Sequence, residues 1–208
     1  MTSKSGIQRA IDLKLVDSKL ADIVLTPLIN EVSSIFEPPK NQGRCFTLMR
    51  HPILRAISVF YFLQKLSIEN SSLNDFASMT IEEYASSDKV ENNWMTRQLN
   101  QKVSGGVLND DDLERAKEFL RAKCLIGLTD DFNESVIRFE TFFGWTHVNE
   151  EEKLECQEEI VSKHTSGSEH ERFEEDSLVW KLLLEQNRFD MALYDYAVSL
   201  FNAGQRAL

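Results

Sequence analysis

Several things are missing from this chain of 208 residues, and each absence narrows its class. No apolar run approaches the roughly 18 residues of a membrane-spanning helix. The opening residues, Met1-Thr-Ser-Lys-Ser-Gly6, hold no apolar stretch of the signal-peptide kind. Cysteine is scarce: Cys45, Cys124 and Cys156 lie far apart, fit no zinc-ligand spacing and cannot all pair internally. Positive charge is outnumbered, 23 Lys and Arg against 34 Asp and Glu, and a net charge of −11 argues against general nucleic-acid binding. His164 and His170 stand six residues apart, so they share no helix face on which to hold a metal. No repeat or low-complexity linker divides the chain. What is present, 42% apolar and 27% charged residues, is ordinary for a globular protein and enough for one domain over residues 1–208. Two glycosylation sequons, at Asn70 and Asn133, matter only if the protein enters the secretory pathway.

The negative charge is unevenly spread. From Pro38 to Leu66 the chain carries Lys40, Arg44, Arg50, Arg55 and Lys65 and no acid, whereas acids dominate from Asp130 onward. One basic unit in an acidic protein reads as an anion site; the plain alternative is that Arg44 and Lys65 are simply exposed. Within this unit Cys45–Met49 reads as a short buried strand that stops at Arg50-His51-Pro52. Proline suits the first turn of a helix, where its missing N–H costs nothing. Ile53, Ile57 and Phe60 then recur at helical spacing, and His51, Arg55 and Ser58 share one face. Cations, a hydroxyl and a helix N-terminus thus converge at the carboxyl end of a strand, where open α/β sheets bind phosphate.

Elsewhere residues 7–20 give a weak helical pattern. Ala21-Asp-Ile-Val-Leu-Thr26, ending at Pro27, predicts a parallel strand, and 28–36 a helix. Residues 91–102 predict a helix that Ser104-Gly-Gly106 breaks. Asn109 caps the next helix, whose first turn holds Asp110, Asp111 and Asp112. Cys124–Leu128 predicts a further buried strand, in which Cys124 is an inert core thiol. Asp130 or Asp131 caps a helix ending near Gly144. Residues 150–162 suggest a solvated helix, and 174–202 carry one long helical stripe. Trp94, Trp145 and Trp180 are expected in or near the core. Alternating strands and helices predict an α/β fold, a small parallel sheet flanked by helices.

The segment Thr47-Leu-Met-Arg50-His-Pro52-Ile-Leu-Arg55-Ala-Ile-Ser58 resembles the second cofactor-binding motif of sulfotransferases, in which a strand ends in Arg-Asp-Pro and a Ser follows eight residues after the Arg. His51 departs from the pattern, standing where Asp is commoner. The resemblance implies that Arg50 and Ser58 bind the 3′-phosphate of 3′-phosphoadenosine 5′-phosphosulfate (PAPS), with Arg55 as a further cation. Asn93-Trp-Met-Thr-Arg-Gln-Leu99 is similar to a segment of the carbohydrate, heparan-type sulfotransferases, which implies that Arg97 faces the cofactor or acceptor cleft; the plain alternative is an exposed helix arginine. Leu125-Ile-Gly-Leu-Thr-Asp130 and Leu184-Glu-Gln-Asn-Arg-Phe-Asp190 with Tyr194 look like the family's late strand–helix unit and C-terminal helix. Together these matches span roughly residues 20–203, in the family's order.

The resemblance implies a partial P-loop-type fold and transfer of a sulfuryl group from PAPS to a hydroxyl, on a glycan or other acceptor. It implies the Golgi lumen as compartment, although no signal or anchor is visible. One part is absent: no string similar to Pro-Lys-x-Gly-x-Thr-Ser, which cradles the 5′-phosphosulfate in the family, occurs in the chain. Lys4-Ser5-Gly6 has no strand before it, and Ser104-Gly-Gly106 lies on the wrong side of the other motifs. Of carboxylates placed to act as a general base before residue 50, only Glu31 stands near an expected strand exit, and a solvated helix residue is its plainer reading. The expectation is therefore either an N-terminally incomplete domain or one that has lost catalysis. The alternative class is an inactive α/β module that binds a nucleotide or a protein partner.

Overall fold

The computed structural model describes residues 3–36, 42–69, 71–145, 149, 151–156, 158–159, 171 and 173–204. Among these the sheet has two strands, β1 (Cys45–Met49) and β2 (Cys124–Leu128), paired in parallel from Cys45↔Cys124 to Met49↔Leu128. Both have the bounds that the sequence predicts. A parallel pair needs a long crossover, and the chain between the strands supplies it, from the helix Pro52–Ser67 to the helix Asp110–Lys123. The architecture is α/β, with a small parallel sheet flanked by helices.

The local chemistry explains the main elements. Pro52 opens its helix at the first position, and Ile53, Ile57 and Phe60 form its buried stripe. Asn109 starts the helix before β2 with a reciprocal cap: its side chain accepts from the Asp112 N–H at 3.0 Å, and the Asp112 carboxylate accepts from the Asn109 N–H at 2.9 Å. β2 is buried along its whole length. Gly127 lets the next helix, Phe132–Phe143, lie close over it; a Cβ there would stand 2.5 Å from the Phe139 ring and 2.9 Å from Ser135 Cβ. The Ser135 hydroxyl ties the helix down, accepting from Leu128 N–H at 2.8 Å and donating to the Asp131 carbonyl at 2.8 Å.

Three apolar clusters follow. Met49, Ile126 and Leu128 pack with Ala116, Leu120, Leu193, Ala197 and Phe201 against the sheet. Ile53, Ile57 and Phe60 meet Tyr84, Val179 and Leu183 in a second. A small third holds Ile7, Ala10, Val32 and Ile35.

Some elements differ from expectation. Residues 21–26 are irregular, with a bend at Asp22, and join no ladder; of them only Val24 packs on a cluster, while Ile23 and Leu25 are exposed. Periodicity detects a strand-like segment, not the neighbour that a strand needs. Helix 28–36 is a turn of α-helix, Ile29–Val32, finished by a 3₁₀ turn, Ser33–Ile35. The long C-terminal stripe is two helices, Leu178–Gln186 and Arg188–Asn202, parted at Asn187. The Cys124 thiol expected in the core is half of a disulfide with Cys45. Those two residues are register partners with Cα atoms 4.4 Å apart, a separation a disulfide can span. The expected helix over 150–162 is seen at 151–156 and 158–159, and its remainder, with His164 and His170, lies outside the described residues. None of the described helices is long and apolar enough to cross a membrane.

Candidate functional site

The two strands end side by side. Past the last register pair, Met49↔Leu128, the Thr129 N–H still donates to the Met49 carbonyl at 2.9 Å, so the ladder carries Arg50 and His51 up beside Thr129 and Asp130. The helix Arg188–Asn202 brings Tyr194 to the same end, where its hydroxyl donates to Asp130 Oδ2 at 2.8 Å. The helix Leu178–Gln186 brings Trp180, whose ring lies 5.4 Å from the His51 ring; Tyr194 packs edge-on against His51, also at 5.4 Å.

Arg50 is half-buried and forms no hydrogen bond or ion pair with any described residue. Burial pushes its pKa down and the neighbouring Arg55 adds to that, while Asp130 opposes both. The guanidinium remains charged at any ordinary pH. An arginine so placed has given up part of its hydration without an ion pair to any described carboxylate in return. The His51 imidazole is pushed toward its neutral form by burial, against the pull of Asp130, Asp195 and Glu175. His51 Nδ1 and Thr129 Oγ1 are both buried without a hydrogen-bond partner among the described residues. Burial also raises the Tyr194 pKa, and the bond to Asp130 raises it further, so the phenol stays a donor.

The four cofactor-binding candidates fall into two groups. Arg50 stands at the strand exit with its guanidinium unpaired among the described residues. Ser58, half-buried, makes no side-chain hydrogen bond within the described structure and lies about 9 Å along the helix axis from Pro52. Arg55 turns elsewhere: it pairs with Glu91 at 2.7 Å and lies 4.4 Å over the Trp94 ring. Arg97 is held by its own loop, which accepts from four of its five N–H donors. Its guanidinium donates to the Asn92 carbonyl at 3.0 Å, to Asn92 Oδ1 at 2.9 Å, and to the carbonyls of Lys102 and Gly106 at 3.3 and 2.9 Å. Its bonds close a turn instead of facing a cleft. Arg44 and Lys65 are exposed.

Upstream, Lys4-Ser5-Gly6 is the first turn of the helix Lys4–Asp12, capped by Ser3. Glu31 pairs with Lys4 at 3.4 Å. Trp94, Trp145 and Trp180 are half-buried against Arg55, Phe143 and His51.

Sequence reasoning passed over Asp130 and Tyr194 as site residues. Asp130 had a signal: it follows a buried strand as Arg50 does, so a parallel pairing of the two runs sets them side by side. Tyr194 had none, because only tertiary packing brings its helix there. No protein-family model, curated protein or solved structure matches the chain.

Proposed function

We propose that the carboxyl end of the β1–β2 sheet binds a nucleotide phosphate, and that the protein is a sulfotransferase-type chain taking PAPS as sulfuryl donor to a hydroxyl acceptor, a carbohydrate above all. The observation that carries the proposal is the half-buried Arg50, unpaired among the described residues at a strand exit and beside a helix N-terminus. The Ser58 hydroxyl, also without a partner in that structure, supplies a second donor. Both residues fit a phosphate: one gives charge in a fork geometry, the other a neutral hydrogen bond. Arg55 adds positive potential, partly offset by Glu91, and no ligand bond is assigned to Arg97.

In this scheme the chain's residues bind and orient the 3′-phosphate. Transfer also needs positive charge at the oxygen leaving the sulfuryl group, and no described residue is assigned that role. Lys4-Ser5-Gly6, lying within a capped helix turn, supports the second reading, a nucleotide-binding module that does not transfer sulfate. A radiolabelled-sulfate assay on glycan acceptors separates the two: turnover favours the enzyme, and nucleotide binding without turnover favours the module.

Titration calorimetry with adenosine 3′,5′-bisphosphate tests the binding claim. A charge-assisted hydrogen bond is worth roughly 1.5–3 kcal/mol, so Arg50→Ala is expected to weaken binding about tenfold or more. Equal affinity of variant and parent overturns the assignment.

A further inference from the structure

Arg50 and Asp130 carry opposite charges and leave adjacent parallel strands one residue out of step, which the Thr129–Met49 hydrogen bond fixes. Each attracts the other. Unrestrained charges so placed close an ion pair, and the pair would consume the guanidinium. In the structure they stay apart: no described carboxylate lies within ion-pair reach of Arg50, and the Asp130 carboxylate is engaged by Tyr194 at 2.8 Å.

Tyr194 is well fixed to do this. Its neighbour Leu193 and, one turn on, Ala197 are wholly buried, so the helix Arg188–Asn202 is anchored against the sheet. The residue itself is buried, and its ring packs against that of His51. Asp130, by contrast, is exposed and sits in the three-residue connection, Thr129 to Asp131, between β2 and the helix Phe132–Phe143. The tyrosine is the rigid partner and the carboxylate the movable one. The other charged groups near this end are Asp131, Asp195, Glu175 and Arg55, of which Arg55 is occupied by Glu91.

We infer that Tyr194 is a positioning residue that holds the Asp130 carboxylate away from Arg50, keeping the guanidinium free for the anionic group of the ligand. The inference rests on the anion-site reading given under Proposed function. It gives the two members of one hydrogen bond opposite effects. Asp130→Asn removes a negative charge near the bound phosphate and leaves Arg50 free. Tyr194→Phe keeps the charge but removes its tether, so the carboxylate turns to Arg50 and competes with the ligand.

The experiment measures affinity for adenosine 3′,5′-bisphosphate by calorimetry in the parent, the two single variants and the double variant, with melting temperatures alongside. Tyr194→Phe is expected to bind about threefold or more weakly, and Asp130→Asn about threefold or more tightly. The double variant is expected to match Asp130→Asn, because without the charge the tether has nothing to restrain. A purely structural tyrosine predicts a different pattern, in which Tyr194→Phe lowers affinity and melting temperature together and Asp130→Asn does not rescue it. That pattern, or single variants that shift affinity in the same direction, overturns the inference. A crystal structure of Tyr194→Phe decides it without ligand: Asp130 within ion-pair distance of Arg50 supports it, and Asp130 unmoved overturns it. Failure of the anion-site reading looks different, since Arg50→Ala would then leave the affinity at the parent value.

Discussion

Around Asn93 and Asp190 the molecule buries polar groups and gives them partners; at the carboxyl ends of β1 and β2 some of them have none among the described residues. In the first region two helices cap each other. Asp190, from the C-terminal helix, accepts from the N–H groups of Met95 and Thr96 at 2.9 and 2.8 Å and from the Thr96 hydroxyl at 2.7 Å. Asn93, just before the helix Trp94–Leu99, returns the favour: its side-chain oxygen accepts from Phe189 N–H at 2.8 Å and Asp190 N–H at 3.1 Å. Asn187 accepts from Asn93 N–H at 2.9 Å. At the strand exits, Arg50 has no partner among the described residues, and neither have His51 Nδ1 and Thr129 Oγ1. Helix termini buried with matched donors and acceptors define a joint. Polar groups without a described partner at the end of a parallel sheet are what the proposed anion site rests on. Polar residues of both regions, an acid, an amide and a threonine on one side, a cation, a histidine and a threonine on the other, thus separate by whether their bonds are made within the described structure.

The largest effect should come from breaking the joint. Asp190→Ala strands two backbone N–H groups and a hydroxyl, each orphan costing about 1–3 kcal/mol. Urea denaturation should show a loss of about 3 kcal/mol or more; a midpoint equal to the parent's would remove the joint from the account. A threonine pair sharpens the contrast. Thr96→Val deletes a bond to a buried carboxylate and should cost about 2 kcal/mol. Thr129→Val deletes a hydroxyl that bonds to no described residue, so stability should hold or rise slightly in the same denaturation series. Equal losses at both positions would erase the distinction.

A smaller effect concerns Asp112, a third acid whose bonds are made. Its side chain is fully covered, though by its own cap and ion-pair partners, not by an apolar core. Its hydrogen bond from Lys102 leads the interactions that hold its pKa below the usual 3.8. A lowered folded-state value stabilises the fold above the unfolded value, and that stability is lost as pH falls through the folded one. Acid unfolding of Asp112→Asn should therefore decline less steeply than the parent below about pH 4; parallel curves would mean that the carboxylate carries no linkage.

The strand side of this contrast could be read from the chain, because it is written in local chemistry. Both strands are apolar runs of five residues with sharp ends, Pro52 marks the helix that follows the first, and Asn109 with Asp112 spells out a cap. Arg50 and Ser58 were visible as candidates for the same reason. What escaped depends on partners distant in sequence. The break at Asn187 is made by Asn93, 94 positions away. Arg97 looked available until the turn through Lys102 and Gly106 wrapped its guanidinium. Cys45 and Cys124 face each other only because the strands pair in that register. Residues 21–26 have the composition of a strand without a described ladder partner.

The central claim is that the open strand exits read a 3′-phosphate. Its most direct test is competition: 3′-AMP and 5′-AMP, each titrated against labelled adenosine 3′,5′-bisphosphate bound to the full chain. The fixed charge of Arg50 and the Ser58 hydroxyl predict that 3′-AMP displaces the label at lower concentration than 5′-AMP. Displacement by 5′-AMP at equal or lower concentration would contradict the claim.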